Sequence, residues 1–73
     1  ANPVLDESFA DHACYRWLVE NAHKFGFILR FPKGKETVTG YSYEPWHYRF
    51  VGVEAATEIY RRGITLEQYL EKY

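Results

Sequence analysis

Two stretches of this sequence set a carboxylate three residues before an imidazole: Glu20-Asn21-Ala22-His23 and Glu44-Pro45-Trp46-His47. The first falls in a segment with helical periodicity, where this spacing matches the Glu-x-x-His element of di-iron bundles. Such bundles repeat the element on a facing helix and add two more glutamates. No second helical copy is present, so Glu20 and His23 read as a surface pair near a helix end. The second stretch has proline at the second position of a four-residue turn, which presets the backbone and brings the first and fourth Cα atoms within about 7 Å. Glu44 and His47 then converge without a helix. That arrangement suits a histidine holding a metal while the carboxylate takes a proton from the metal's water. Spacing alone equally fits an ordinary turn with a partly buried histidine, because the pattern is short.

The remaining candidates are weaker. His12 and His23 are eleven residues apart, roughly 16 Å along a helix, and cannot share an ion held at about 2 Å from each nitrogen. His12 reads as solvated. Arg49 falls on the same strand face as His47, with Tyr48 and Phe50 on the other, so it either approaches the same site or forms an edge ion pair. Trp46, Tyr41 and Tyr43 flank the pair in sequence, as pocket walls or as packing. Arg30, Lys33 and Lys35 interleave with Phe27, Phe31 and Tyr41 in the manner of a single-strand nucleic-acid patch, but Glu36 and Glu44 dilute it. Nine Lys+Arg against ten Asp+Glu leave a net charge of -1, without the positive field that phosphate neutralisation needs. Nucleic acid is therefore excluded as the expected partner. Cys14 is the single cysteine, so no intrachain disulfide forms, no Cys-x-x-Cys zinc knuckle exists, and no base is identified beside the thiol.

The elements that must position these groups follow from periodicity. After an irregular lead-in over Ala1 to Asp6, Ser8 and Asp11 resemble a capping box, and a helix is expected from Phe9 to Lys24. Ala10, Cys14, Trp17, Leu18, Asn21, Ala22 and Phe25 make its apolar face, and Gly26 closes it. Phe27 to Phe31 reads as a buried strand, Pro32 to Lys35 as a turn, Thr37 to Tyr43 as an irregular extended stretch or a loop, and Trp46 to Val51 as a second strand. A second helix spans Val53 to Arg62, with Val53, Ala56, Ile59 and Tyr60 inward and Gly63 at its end. Thr65 and Gln68 repeat the capping pattern before a short helix from Leu66 to Lys72. Helix, strand, strand, helix, helix gives an α+β layering. Hydrophobic residues at 47% and aromatics at 19% are globular composition, yet two strands alone make a marginal sheet, and further strands are expected from outside the chain. No apolar run approaches the roughly 20 residues needed to cross a bilayer. The start at Ala1, with no signal segment, is read as that of a fragment.

The run Trp17-Leu18-Val19-Glu20-Asn21-Ala22-His23-Lys24-Phe25-Gly26-Phe27-Ile28-Leu29-Arg30-Phe31-Pro32-Lys33-Gly34-Lys35, followed by Thr39-Gly40-Tyr41-Ser42-Tyr43-Glu44-Pro45-Trp46-His47-Tyr48-Arg49-Phe50-Val51-Gly52, closely resembles the VanY-type D-alanyl-D-alanine carboxypeptidases. These are zinc peptidases of bacterial cell-wall metabolism that share a fold with lysostaphin-type enzymes and the hedgehog signalling domain. The resemblance covers about two thirds of the chain and includes the family's Glu-x-Trp-His signature. His12-Ala13-Cys14-Tyr15-Arg16 departs from the family's usual Thr-Pro-Glu-Gly-Lys type of helix start.

The resemblance implies that His47 is the last zinc ligand and Glu44 the catalytic base. The family's other ligands, a His and an Asp, belong to an upstream motif that this chain does not contain. Residues 1–73 are thus expected to be the C-terminal part of one zinc carboxypeptidase domain, a small antiparallel sheet flanked by helices, with the N-terminal half as partner. The implied substrate is a peptidoglycan stem peptide ending in D-Ala-D-Ala. The alternatives are L,D-carboxypeptidase action on tetrapeptides or a non-catalytic wall-binding module on the same fold. The implied location is extracytoplasmic, in the bacterial envelope, with cytoplasmic action on precursors as the alternative; the chain alone is expected to be inactive.

Overall fold

The amphipathic stretch before Gly26 folds as helix, but in three pieces. In the computed structural model, which describes residues 7–72, a 3-10 turn over Glu7–Asp11 leads into α1 (Ala13–Asn21), and a second 3-10 turn covers Ala22–Phe25. The single helix expected from Phe9 to Lys24 is interrupted at His12, whose backbone is extended at φ -79° and ψ 146°. The α-helix therefore starts after His12 and not after Ser8. The lead-in over Ala1 to Asp6 lies outside the described residues.

Gly26 then turns the chain from helix into sheet. Its φ of 89° is left-handed, a conformation open to glycine without a Cβ clash. A Cβ there would also lie 2.7 Å from the Phe50 ring and 3.1 Å from the Gly52 carbonyl carbon. The Gly26 carbonyl accepts the N–H groups of Val51 and Gly52 at 2.8 and 3.1 Å. One residue thus joins the start of the first strand to the end of the second.

β1 (Phe27–Phe31) has the expected bounds. Residues Glu36–Thr39 coil into one helical turn, α2, closed by Gly40 at φ 80°, where an irregular extended stretch or a loop is expected from Thr37 onward. Local hydrogen bonds outweigh the β-branched residues here: the Gly40 N–H donates to the Glu36 carbonyl at 2.9 Å, the Thr39 hydroxyl donates to the Tyr41 carbonyl at 3.2 Å, and the Tyr41 N–H donates back at 3.1 Å. β2 runs Glu44–Phe50 and pairs antiparallel with β1 as a two-stranded sheet.

α3 (Val53–Arg62) lays Ala56 and Ile59 on Ile28 of β1, and Val51, Ile64, Leu66 and Tyr69 surround that nucleus. Val53 and Tyr60, both expected inward, are about half exposed on the flank of the buried stripe. α4 (Leu66–Lys72) begins with the reciprocal cap read from the sequence. The Thr65 N–H donates to Gln68 Oε1 at 2.9 Å, and the Gln68 N–H donates to Thr65 Oγ1 at 3.0 Å. Arg30 of β1 reaches across to Glu67 of α4 with two parallel bonds, Nη1 to Oε1 at 3.0 Å and Nη2 to Oε2 at 2.8 Å.

The face expected to bury α1 is only partly covered. Ala22 is buried, and Leu18 and Asn21 are half-buried. Trp17 and Phe25 stay exposed, stacked on each other with centroids 6.1 Å apart, and Phe27 and Phe50 meet edge to face beyond them at 5.3 Å.

Candidate metal and acid–base site

Residues three apart on a regular strand point to opposite faces, so the placement of both Glu44 and His47 on β2 would ordinarily separate them. The ladder is irregular there. Leu29 pairs with Tyr48 and Phe31 with Glu44, so β2 advances four residues while β1 advances two. The surplus of two residues forms a bulge across Pro45, Trp46 and His47. Proline fits a bulge because it has no N–H to give to a ladder, and Pro45 is fully buried there. The expected proline turn is thus replaced by a bulged strand, with the same effect on the two side chains: Glu44 Oε1 lies 3.2 Å from His47 Nδ1. The imidazole is 46% exposed and the carboxylate 27%, so both reach solvent while sharing a contact.

The His47 ring also meets Phe31 edge to face, with centroids 4.9 Å apart and planes at 80°. Phe31 is buried at the end of β1 and carries Tyr41 on the same ring at 4.7 Å. Tyr41 is itself exposed, and Phe31 joins it to His47. Sequence reasoning treated Phe31 as a core strand residue and missed this role as a hub, since the contact arises from the β2 bulge. Aromatic residues at a strand end opposite a Pro-containing strand were the available signal.

The other candidates lie elsewhere. Tyr43 shares a 3.0 Å hydrogen bond between hydroxyls with Tyr15 of α1. Trp46 is half-buried within the bulge. Arg49 is exposed opposite Ile28, and no hydrogen bond or ion pair links it to Glu44 or His47 among the described residues. His12 is exposed, as expected, while Glu20 and His23 do not form a surface pair: the His23 ring stacks on Tyr60 and its Nδ1 is buried without a hydrogen-bond partner. His23 and Tyr48 both line a cavity of about 260 Å³ between α1, the sheet and α3. The Tyr48 hydroxyl is buried there without a partner, and burial, reinforced by Tyr15 and Cys14, pushes its ionisation above the usual tyrosine range.

A catalytic zinc site takes three protein ligands and keeps one position for water. Among the described residues no group of three His, Cys, Asp or Glu side chains converges. Glu44 and His47 therefore fit one share of such a site, an imidazole ligand with a carboxylate beside it, and not the whole.

The VanY family, described as D-alanyl-D-alanine carboxypeptidase, matches residues 1–53. This chain belongs to that family. A D-alanyl-D-alanine carboxypeptidase of Enterococcus faecalis is 62% identical over 56 residues, which make up 77% of this chain and 21% of that protein. The LdcB LD-carboxypeptidase, solved to explain peptidoglycan recognition, superposes with a TM-score of 0.91 at 51% identity, covering 94% of this chain and 32% of its own. VanYB in complex with D-alanine-D-alanine gives a TM-score of 0.78 at 60% identity, over 80% of this chain and 32% of that one. A variant of the vancomycin-resistance D,D-pentapeptidase VanY in complex with Zn(II) gives 0.75 at 62% identity, over 77% and 32%. The chain spans about a fifth of that curated VanY relative and about a third of each of these solved chains. The mixed helix and strand architecture with a small antiparallel sheet is the fold of these carboxypeptidases.

Proposed function

We propose that residues 1–73 form the C-terminal part of a zinc carboxypeptidase domain that removes the terminal D-alanine from peptidoglycan stem peptides. The observation that carries this reading is the approach of Glu44 Oε1 to within 3.2 Å of His47 Nδ1 at a solvent-accessible strand bulge. The D-Ala-D-Ala complex and the Zn(II) complex of its structural neighbours support the substrate and the metal. His47 would hold the metal through its imidazole, and a His and an Asp from the remainder of the domain would complete the ligand set. Bound zinc supplies Lewis acidity, acidifying water and polarising the scissile carbonyl. Glu44 accepts the proton of the attacking water and returns it to the departing D-alanine nitrogen. Tyr41, tilted against the Phe31 ring that His47 also meets and itself exposed, would wall the substrate, with Trp46 as a second candidate. Such a substrate supports an extracytoplasmic location in the bacterial envelope, with cytoplasmic action on precursors as the alternative.

The test uses the full-length protein that carries this chain. Glu44→Gln is expected to keep about one zinc per chain by elemental analysis and to lose turnover by about 10²- to 10⁴-fold; His47→Ala is expected to lose both. Unchanged turnover in the Gln variant would remove Glu44 from the mechanism. The superposition on LdcB at a TM-score of 0.91 favours a second reading, L,D specificity. Competition between a pentapeptide ending in D-Ala-D-Ala and a tetrapeptide whose last bond joins an L-residue to D-alanine separates the two.

A further inference from the structure

We infer that Phe31 is the positioning residue of His47 and that the Arg30–Glu67 pair anchors it to α4. This rests on the reading of His47 as a zinc ligand. His47 sits in a bulge, outside the regular ladder, and its ring is almost half exposed. Among the described residues two contacts restrain that ring: the Glu44 carboxylate at 3.2 Å and the Phe31 ring at 4.9 Å between centroids. Glu44 must exchange protons and approach substrate water, so it is a poor fixed support. Phe31 is 8% exposed and anchored in β1. An edge-to-face pair is attractive beyond the burial it brings, and this biases the plane of a side chain that is otherwise free to turn.

Phe31 is held in its turn. The Arg30 guanidinium carbon lies 4.8 Å from the Phe31 ring centroid, and its side chain, 16% exposed, is forked onto Glu67 at 3.0 and 2.8 Å. A guanidinium carbon at that distance from a ring is in range of cation–π attraction, and the two-pronged carboxylate contact limits where the guanidinium sits. Glu67 of α4 is thereby connected to His47 of β2 through Arg30 and Phe31, without touching the site. Partners behind a ligating histidine commonly set its affinity for the metal.

The experiment is a zinc competition titration against a chromophoric chelator, with steady-state kinetics, on the full-length protein. Phe31→Met keeps an apolar side chain of similar reach but has no ring; it is expected to weaken zinc binding by about 5- to 10-fold and to lower kcat more than it changes KM. Phe31→Tyr keeps the ring and is expected to restore affinity to within about threefold, as a conservative replacement within one class of side chain. Glu67→Gln is expected to give a smaller loss that disappears in the Phe31→Met background, since residues acting through one contact do not add. His47→Ala is the reference: if it leaves zinc affinity unchanged, the ligand reading fails. If His47→Ala abolishes zinc binding while a folded Phe31→Met binds zinc as the wild type does, the positioning role is overturned and the ligand reading stands. Should Phe31→Met not fold, Glu67→Gln decides, and undiminished zinc affinity in that variant overturns the anchoring.

Discussion

The imidazole of His23 lies flat on the ring of Tyr60, with centroids 3.8 Å apart and planes 8° from parallel. This stack fastens the helical turn before Gly26 to α3, at the wall of the half-open pocket between α1, the sheet and α3. Truncating Tyr60→Ala is expected to destabilise the protein by about 1–2 kcal/mol, from lost stacking and partial burial, read as a shift of the denaturant midpoint. His23→Phe keeps a ring and removes a buried nitrogen that has no partner, so it is expected to be neutral or stabilising by up to about 1 kcal/mol. A marked loss of stability in the Phe variant would show that His23 has a polar role.

Two left-handed glycines offer a matched comparison. Gly26 at φ 89° faces Phe50 and Gly52 at 2.7 and 3.1 Å from an added Cβ, whereas Gly40 at φ 80° has nothing within 4 Å. Gly40→Ala is expected to cost about 1–2 kcal/mol from backbone strain alone. Gly26→Ala adds the overpacking cost of about 1–3 kcal/mol and should be the worse of the two by thermal melting. Equal costs would mean that Phe50 moves aside freely.

The Arg30–Glu67 pair predicts a response to acid. Burial pushes the Glu67 carboxyl up, but the hydrogen bond from Arg30, its own backbone N–H, the Arg30 charge and the Thr65 hydroxyl together hold it below the usual carboxylate range. A carboxyl whose folded pKa is lowered contributes stability that is fully present above its unfolded value, near about 4, and is lost as the pH falls through the folded one. Stability should therefore decline below about pH 4 more steeply in the wild type than in Glu67→Gln. Urea unfolding at a series of acidic pH values checks this, and parallel profiles would remove Glu67 as a contributor.

Thr65 closes α4 with both side-chain and backbone bonds and is 1% exposed. Thr65→Ala is expected to lose about 1–2 kcal/mol, the cost of a deleted N-cap. Thr65→Ser, which keeps the hydroxyl, should recover most of it. Circular dichroism with denaturant titration distinguishes the two, and a Ser variant no better than Ala would assign the effect to packing of the methyl group.

Local signals were the legible ones. The bounds of β1 and α3, and the Thr65–Gln68 cap, depend on residues within a turn or two of each other, and they stand where periodicity and capping chemistry put them. The break at His12 and the helical turn over Glu36–Thr39 did not show, because extended backbone at one residue and a single turn closed by Gly40 leave little periodic trace. Proximity of Glu44 and His47 was legible from spacing, but the proline turn invoked for it was not the geometry: only the register against β1 reveals the bulge. Phe31 was invisible as a neighbour of His47 for the same reason. The exposed ring pairs Trp17–Phe25 and Phe27–Phe50 show the limit of an apolar pattern, which marks a face without saying what covers it.

The two surplus residues of β2 make strand length part of the chemistry. Were β2 trimmed to match β1 residue for residue, Glu44 and His47 would lose the irregularity that lets side chains at an odd separation share a face. Every substitution at Trp46 keeps that count; a deletion of Pro45 or Trp46 changes it while leaving the carboxylate and the imidazole in place in the sequence. By contrast, the turn at Gly34 lies outside both strands, so a change of length there leaves the count of β2 untouched. Descent and engineering alike can therefore edit the letters of this segment more freely than its length, and insertions or deletions are the changes to watch when the pairing is followed across variants.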